Sequence, residues 1–490
     1  MTPLRPDSTA PGGALRGETG GSGHGSAKLE RVDVVVIGAG MTGLGAADAL
    51  LQSGLTVQVV EAAQDVGGLA RSIQVGGEGI EPYYHHAFPQ DCELRELIDR
   101  LGLSDRLEWR SASTAVLGRD RLYSFNTVLD LLRFRVLSPW ARFRLGMGSA
   151  LGIVRGRSHS LDGMRVADAG PRWFGRHGYD ALWRPLLEGK FGSMAPDVAM
   201  AWLAGRIRQR AQARKGGKGD RLGYVRGGFG VVASGLAEDL RKRGVRIALG
   251  VPVDSVSQAG GLWRVGFGDR EVIGRAVVVC ASGAVLTRLV ALPDAYASTV
   301  AEIPYRGAVC VLLELDRPLG RHYWVNLTQR TELGCLAVIE HTNFVPPDRY
   351  GGRHLVYLTH YVEPDGRTWN AGAEEIVEAV EGVLRAINAE FDASWIVASH
   401  LTRDRWAQPV PFAGGPMADL PLDTGMPGLF HASLAHIYPD DRGVAKALGL
   451  GRRVAIATTA WLARSDASLS AAGPGIEASE GPGQPMARPR

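Results

Sequence analysis

Cysteine is scarce in this chain: Cys92, Cys280, Cys310 and Cys335 are the only four in 490 residues, and none stands at CxxC or another short ligand spacing. That argues against a disulfide framework or a structural zinc site and makes a reducing compartment, the cytoplasm, the simpler expectation. Long apolar runs are missing too. No stretch is long enough to span a bilayer, and the first thirty residues lack the apolar centre of a secretory signal. Nor does one charge dominate: 55 Lys and Arg against 51 Asp and Glu leave +4, without the concentrated basic face of a protein built to hold nucleic acid.

What remains is the composition of an ordinary soluble globular protein, 45% hydrophobic and 22% charged, at a length that implies two or three domains. Glycine is abundant at 65 residues, and part of the excess sits in two tails, 1–30 and 464–490, whose Ser, Ala, Gly and Pro predict disorder.

Between the tails the chain is patterned. Val32 to Ile37 is a β-branched run of the kind buried on both faces of a parallel sheet. Gly38-Ala39-Gly40-Met41-Thr42-Gly43 follows, then a helix from Leu44 to Leu51 and a second strand from Thr56 to Val60, ending at Glu61. Strand, turn, helix and strand in so short a span make a βαβ unit. Further helices are expected at Cys92–Leu101, Val231–Arg243, Glu374–Phe391 and Gly443–Leu462. A hairpin is expected at Arg119–Phe125 and a helix-rich stretch from Asn126 to Lys218, closed by the break Lys215–Gly219. Strands are expected at Arg246–Ala248, Val251–Val256, Leu262–Phe267, Ala276–Cys280 and Gly428–Ala432, with antiparallel sheet from Tyr305 to Tyr361.

The glycines have separate duties. Gly38 permits a tight turn, Gly40 lets backbone approach a pyrophosphate, and Gly43 lets helix and strand pack closely. The helix N-terminus, with Met41 and Thr42, offers unpaired N–H groups to phosphate. Glu61, with Ala62 beside it, ends the second strand where a carboxylate accepts from ribose hydroxyls. Then comes Val66-Gly67-Gly68-Leu69-Ala70-Arg71, a doublet that folds the chain back and a guanidinium that can reach the pyrophosphate or the ring end.

This run resembles the extended fingerprint of FAD-dependent amine oxidases, protoporphyrinogen oxidases and phytoene desaturases. The likeness spans about residues 32–462 and is strongest at its ends. It implies an α/β fold: a discontinuous Rossmann-type FAD domain (31–110, 220–290, 395–463) with an inserted α+β substrate domain, made of a helical lid region (111–219) and an antiparallel sheet (291–394). It also implies that Val253 pairs with the adenine edge and that Asp441, Arg442, Gly443 and Val444 open a helix beneath the flavin, whose dipole stabilises the reduced ring. The chain departs from that pattern at Ser433-Leu434, where the family has a carboxylate; Asp440 and Asp441 are the candidate substitutes.

On the substrate side the candidates are Tyr84, His85 and His86 after the fingerprint, Lys190 in Trp183–Gly192, and the polar run Glu340, His341, Thr342, Asn343. His360-Tyr361, Arg405-Trp406, Phe412 and Tyr438 complete the set. Lys190, His86 and Tyr361 are the candidate catalytic groups, although hydride loss can proceed without a general base. Adjacent histidines on a strand face opposite ways, so no metal is expected. The leading expectation is a flavoprotein oxidoreductase that dehydrogenates a C–H or C–N bond of a small organic substrate, with isoprenoid and sugar-linked molecules among the candidates. Tyr84–Asp91 and Ile437–Asp441 are also similar in layout to UDP-galactopyranose mutase, which keeps open a flavin isomerase with no net redox. The same fold without FAD serves Rab GDP-dissociation inhibitors as a prenyl-lipid binder, a third alternative. In protoporphyrinogen oxidase the counterpart of the Leu129–Leu145 stretch meets the membrane, so peripheral membrane contact is an expectation as well.

Overall fold

The computed structural model describes residues 30–118, 121–155, 159–214, 220–329 and 331–471. The N-terminal tail before Glu30, the start of the expected hairpin, the break Lys215–Gly219 and the tail after Ala471 lie outside them.

In chain order, β1 (Glu30–Ile37), α1 (Met41–Gln52) and β2 (Val57–Val60) form the expected βαβ unit. Then come α2 (Cys92–Arg100), β3 (Thr114–Leu117), β4 (Leu122–Ser124), and the helices α3 (Val128–Arg133), α4 (Pro139–Arg155), α5 (Arg184–Phe191) and α6 (Met200–Ala213). After them stand α7 (Gly230–Lys242), β5 (Arg246–Ala248), β6 (Ser255–Ala259), β7 (Leu262–Phe267) and β8 (Arg270–Val279). The last third holds β9 (Tyr305–Leu315), β10 (Trp324–Leu327), β11 (Cys335–Glu340), β12 (His354–Val362), α8 (Ala373–Ile387), β13 (Ile396–Pro409), β14 (Leu429–His431) and α9 (Val444–Ala471).

The first sheet runs β6-β7-β8-β1-β2-β5, with β14 also paired to β8. Its centre is parallel: β1 lies between β8 and β2, with Val36 opposite Val278 and Val59. Val34, Val35, Val36 and Val59 are fully buried, so the run is apolar because helices cover both faces. Each such side chain contributes about 1.5–3 kcal/mol on burial. On one face α1 packs against α9 and α7, forming a single cluster with Leu44, Leu50, Leu236 and Val454.

The second sheet runs β13-β9-β12-β11-β10-β3-β4, antiparallel except where β10 meets β3. Along β12, Val356 and Leu358 pack under α8 with Val380 and Leu384, while Thr359 and Tyr361 face a cavity.

Four expectations need correction. Residues 114–124, placed with the helical lid, add two strands to the second sheet, and 396–409, placed with the FAD domain, form that sheet's other edge. The strand expected at Val251 begins only at Ser255: Pro252 has no N–H, and the Val251 N–H is spent on the Glu61 carbonyl. The last helix continues through residues 464–471, expected to be disordered; Arg275 pairs there with Asp466.

Candidate functional site

The turn between β1 and α1 is built by close approach. A Cβ at Gly43 would stand 1.8 Å from the Gly38 carbonyl oxygen, so α1 crosses the strand end only with glycine there. At Gly40 the nearest atom to such a Cβ is the Gly68 Cα at 4.0 Å, and the space beyond is open. Gly67 has φ of 103°, and its N–H donates to the Ala39 carbonyl at 2.9 Å, folding the second glycine pair against the first. No side chain caps α1 and its first turn carries no acid, which leaves its N–H groups for an anion.

Glu61 braces this loop: Oε2 accepts from the Ala39 N–H at 2.6 Å and Oε1 from the Ala63 N–H at 2.8 Å. It also lines a cavity of about 1460 Å³ together with Gly40, Met41, Thr42, Gly67, Gly68, Leu69, Ala70 and Arg71. That exceeds the roughly 300–1,000 Å³ of ordinary ligand pockets and accommodates a dinucleotide with room for a substrate. Several polar atoms of its lining residues are buried without a partner among the described residues, among them Ser282 Oγ and Asp441 Oδ1. An uncapped helix, an open Gly40 and orphaned polar atoms fit FAD.

Of the other residues expected at the cofactor, Asp441, Arg442, Gly443 and Val444 line the cavity, while Gly38, Gly43, Ala62 and Val253 do not. Gly38 and Gly43 act through packing. Val253 is packed among the apolar side chains on the far side of the first sheet. At the departure from the family pattern, Ser433 bonds His436 Nδ1 and Asp440 pairs with Lys446 at 2.6 Å. Asp441 is therefore the carboxylate that reaches the cavity.

The same cavity holds a buried charged cluster. Asp441 Oδ2 lies 3.0 Å from Lys190 Nζ on α5 and 3.3 Å from Arg206 on α6. Burial would raise the Asp441 carboxyl, but Lys190, Arg206 and Arg442 hold it well below the usual carboxylate range. Arg442 donates to the Tyr361 hydroxyl, which lies 3.4 Å from the Tyr84 hydroxyl. Burial raises the Tyr361 phenol, yet Arg442 and Lys190 outweigh it and bring it below its ordinary value. Lys190 Nζ sits 5.1 Å from the ring centres of both Trp202 and Tyr361.

Both histidines line the same cavity. His85 Nδ1 is 2.7 Å from the Tyr83 carbonyl and His86 Nδ1 3.3 Å from the Tyr323 hydroxyl. Burial depresses both, His85 to about 4, and leaves neutral imidazoles. Among the described residues no group of three or more His, Cys, Asp or Glu could hold a metal ion.

The polar run 340–343 is not a pocket wall. Glu340 accepts from the Leu319 and Gly320 N–H groups at 3.0 and 2.7 Å, His341 Nε2 lies 2.9 Å from the Tyr350 hydroxyl, and Asn343 donates to the Gly320 and His322 carbonyls. These side chains are spent on fixing two turns. Tyr438 is likewise turned away, donating to Asp162 at 2.7 Å, and Arg405 pairs with Asp365. The residues that sequence reasoning missed lie on α6 and at its C-terminal cap: Arg206, Arg210 and the capping Arg214, spaced four apart, with Trp202. That spacing was the available signal.

Residues 41–457 match the model of the family described as flavin containing amine oxidoreductase. Putrescine oxidase of Kocuria rosea is 41% identical over 92 residues, 19% of this chain and 19% of that protein, so the match spans about a fifth of that relative's length. A solved variant of putrescine oxidase superposes with a TM-score of 0.69 at 18% identity, covering 89% of this chain and 100% of that one. Reduced UDP-galactopyranose mutase does so with a TM-score of 0.67 at 17% identity, covering 86% and 94%. The chain belongs to the flavin-containing amine oxidoreductases, and its cofactor is FAD.

Proposed function

We propose that this FAD-dependent oxidoreductase dehydrogenates a C–H or C–N bond of a small organic substrate, the hydride passing to flavin N5 and a proton leaving separately. The observation that carries this reading is one cavity shared by the dinucleotide loop and the Lys190–Tyr361–Tyr84 cluster. FAD supplies the hydride acceptor; the remaining tasks fall to the chain. The rings of Tyr84, Trp202 and Trp324 orient an apolar substrate body and exclude water. Neutral His86 and the ionised Tyr361 hydroxyl are the groups positioned to take a departing proton, and Lys190, as a cation, stabilises the phenolate beside it.

The residues 128–147 support the peripheral membrane contact anticipated above. Trp140 is 68% exposed and Phe143 56%, beside exposed Val128, Leu129, Leu132 and Met147. Among the described residues no helix is long and apolar enough to cross a membrane.

The visible spectrum of the purified protein, followed by anaerobic addition of candidate substrates, tests the proposal. Bleaching of the flavin by a substrate supports dehydrogenation. Turnover of a sugar nucleotide by pre-reduced enzyme, with no substrate bleaching the oxidised flavin, would replace it with the isomerase reading.

A further inference from the structure

We infer that the cavity takes a substrate bearing a carboxylate or phosphate on an otherwise apolar body and rejects amines, resting on the oxidoreductase reading only for placing the substrate there. The charge balance of the lining carries this. Asp441 faces three cations, Lys190 and Arg206 directly and Arg442 as its chain neighbour, a net of two positive charges; ionising Tyr361 would still leave one. Arg142, also on the lining, bonds only to the Leu132 and Leu137 carbonyls in its described contacts. Arginine keeps its charge at any working pH, and its planar fork matches a carboxylate or phosphate.

The other carboxylates on the same lining accept backbone N–H groups. Glu61 uses both oxygens on backbone N–H groups, Asp91 accepts from the Phe88 N–H, and Asp404 accepts from the Trp406 N–H. The orphaned oxygen of Asp441, Oδ1, sits amid the cations. A neutral hydroxyl can donate to it; an ammonium would have to enter among like charges with little water to screen them. The uncapped start of α1 on the same lining offers the pyrophosphate of the cofactor N–H donors of its own. Around the cluster the walls are apolar, with Leu182, Leu186, Leu203, Ile207 and Leu336. Selectivity here is therefore repulsion of the wrong charge as much as attraction of the right one.

The test is binding to the FAD-loaded enzyme, read by flavin spectral perturbation and calorimetry, with four probes of one chain length: octanoate, octyl phosphate, octanol and octylamine. Putrescine is the fifth. The expected order places octanoate or octyl phosphate about tenfold or more tighter than octanol, with octylamine and putrescine weaker than octanol. The tighter of the two anions identifies the head group. Arg206→Gln and Lys190→Gln should each cut the anion preference about tenfold while octanol affinity holds, and Arg206→Lys should retain most of it. Octylamine or putrescine binding more tightly than octanol would overturn the inference. So would variants that lose flavin but keep the anion preference, because the cations would then serve the cofactor. The comparison of probes on the unmodified enzyme needs no variant to fold. Failure of every substrate to bleach the flavin would count against dehydrogenation and leave the anion preference standing.

Discussion

Lys190 Nζ and Asp441 Oδ2 stand 3.0 Å apart across 251 residues of chain, joining α5 to the segment that opens α9. Both side chains are buried, with relative exposures of 12% and 6%. The bridge locks the helical region onto the cofactor side of the cavity.

Asp441→Asn should therefore destabilise the protein by about 3–5 kcal/mol, because it leaves buried cations without their counter-charge. The folded Asp441 carboxyl lies below its unfolded value, so its contribution is fully present above the unfolded value and lost as pH falls through the folded one. Denaturant midpoints of parent and variant should differ by a constant amount from neutrality down to about pH 4 and converge only in stronger acid. Equal midpoints at pH 7 would contradict the assignment.

Gly40→Val and Gly43→Ala should fail differently. The side chain at position 40 enters open space, so Gly40→Val should fold with a melting temperature near that of the parent's apoprotein and purify colourless. At position 43 the new methyl collides with the Gly38 carbonyl, so the smaller change should cost both flavin and fold. Circular dichroism with released-FAD analysis separates the two; a yellow Gly40→Val would count heavily against the site.

Glu81 gives a pH dependence of opposite sign to Asp441. It is fully buried, which raises its carboxyl to about 7, against the opposing bonds from the Phe229 N–H and the Tyr224 hydroxyl. The fold therefore prefers the protonated form. Stability should be highest below pH 4.5, decline by about 3 kcal/mol as pH rises to 7, and then level off. Glu81→Gln should flatten that decline; an unchanged slope would show that another group causes it.

Tyr361→Phe removes the hydroxyl that Arg442 and Tyr84 share. Substrate-dependent bleaching should slow by about tenfold or more. Because the phenol lies below its ordinary value, the parent's rate should show a basic limb that the phenylalanine variant lacks. Identical pH profiles would assign Tyr361 to packing alone.

Trp140 and Phe143 stack with ring centres 5.5 Å apart on the exposed face of α4. Replacing both with serine should lower sedimentation with anionic phosphatidylglycerol vesicles at least about fivefold and leave flavin content unchanged. Equal sedimentation of the double variant would remove the membrane reading.

The dinucleotide half was legible in the residues because its determinants are local. A β-branched run, three glycines at fixed offsets, Glu61 and Gly67-Gly68 act within one short stretch, Val32 to Gly68, and the backbone has few other ways to satisfy them. The strand at 251–256 was misread because local β propensity cannot register that the Val251 N–H is taken by a residue 190 positions earlier. Glu340, His341 and Asn343 misled for a related reason: polar groups at a strand end suit a pocket or a turn equally, and only packing chooses.

By itself the sequence determined where the cofactor enters, through turn sterics and an uncapped helix end, because those forces act between near neighbours in the chain. Only the tertiary structure decided what faces the cofactor. It brought Lys190, Arg206, Tyr361 and Asp441 together from four separate elements. It spent Glu340 on a turn and left one oxygen of Asp441 without a partner at the cavity. Charge at such a site is a sum over long-range neighbours in a desolvated volume, and no linear pattern encodes that sum.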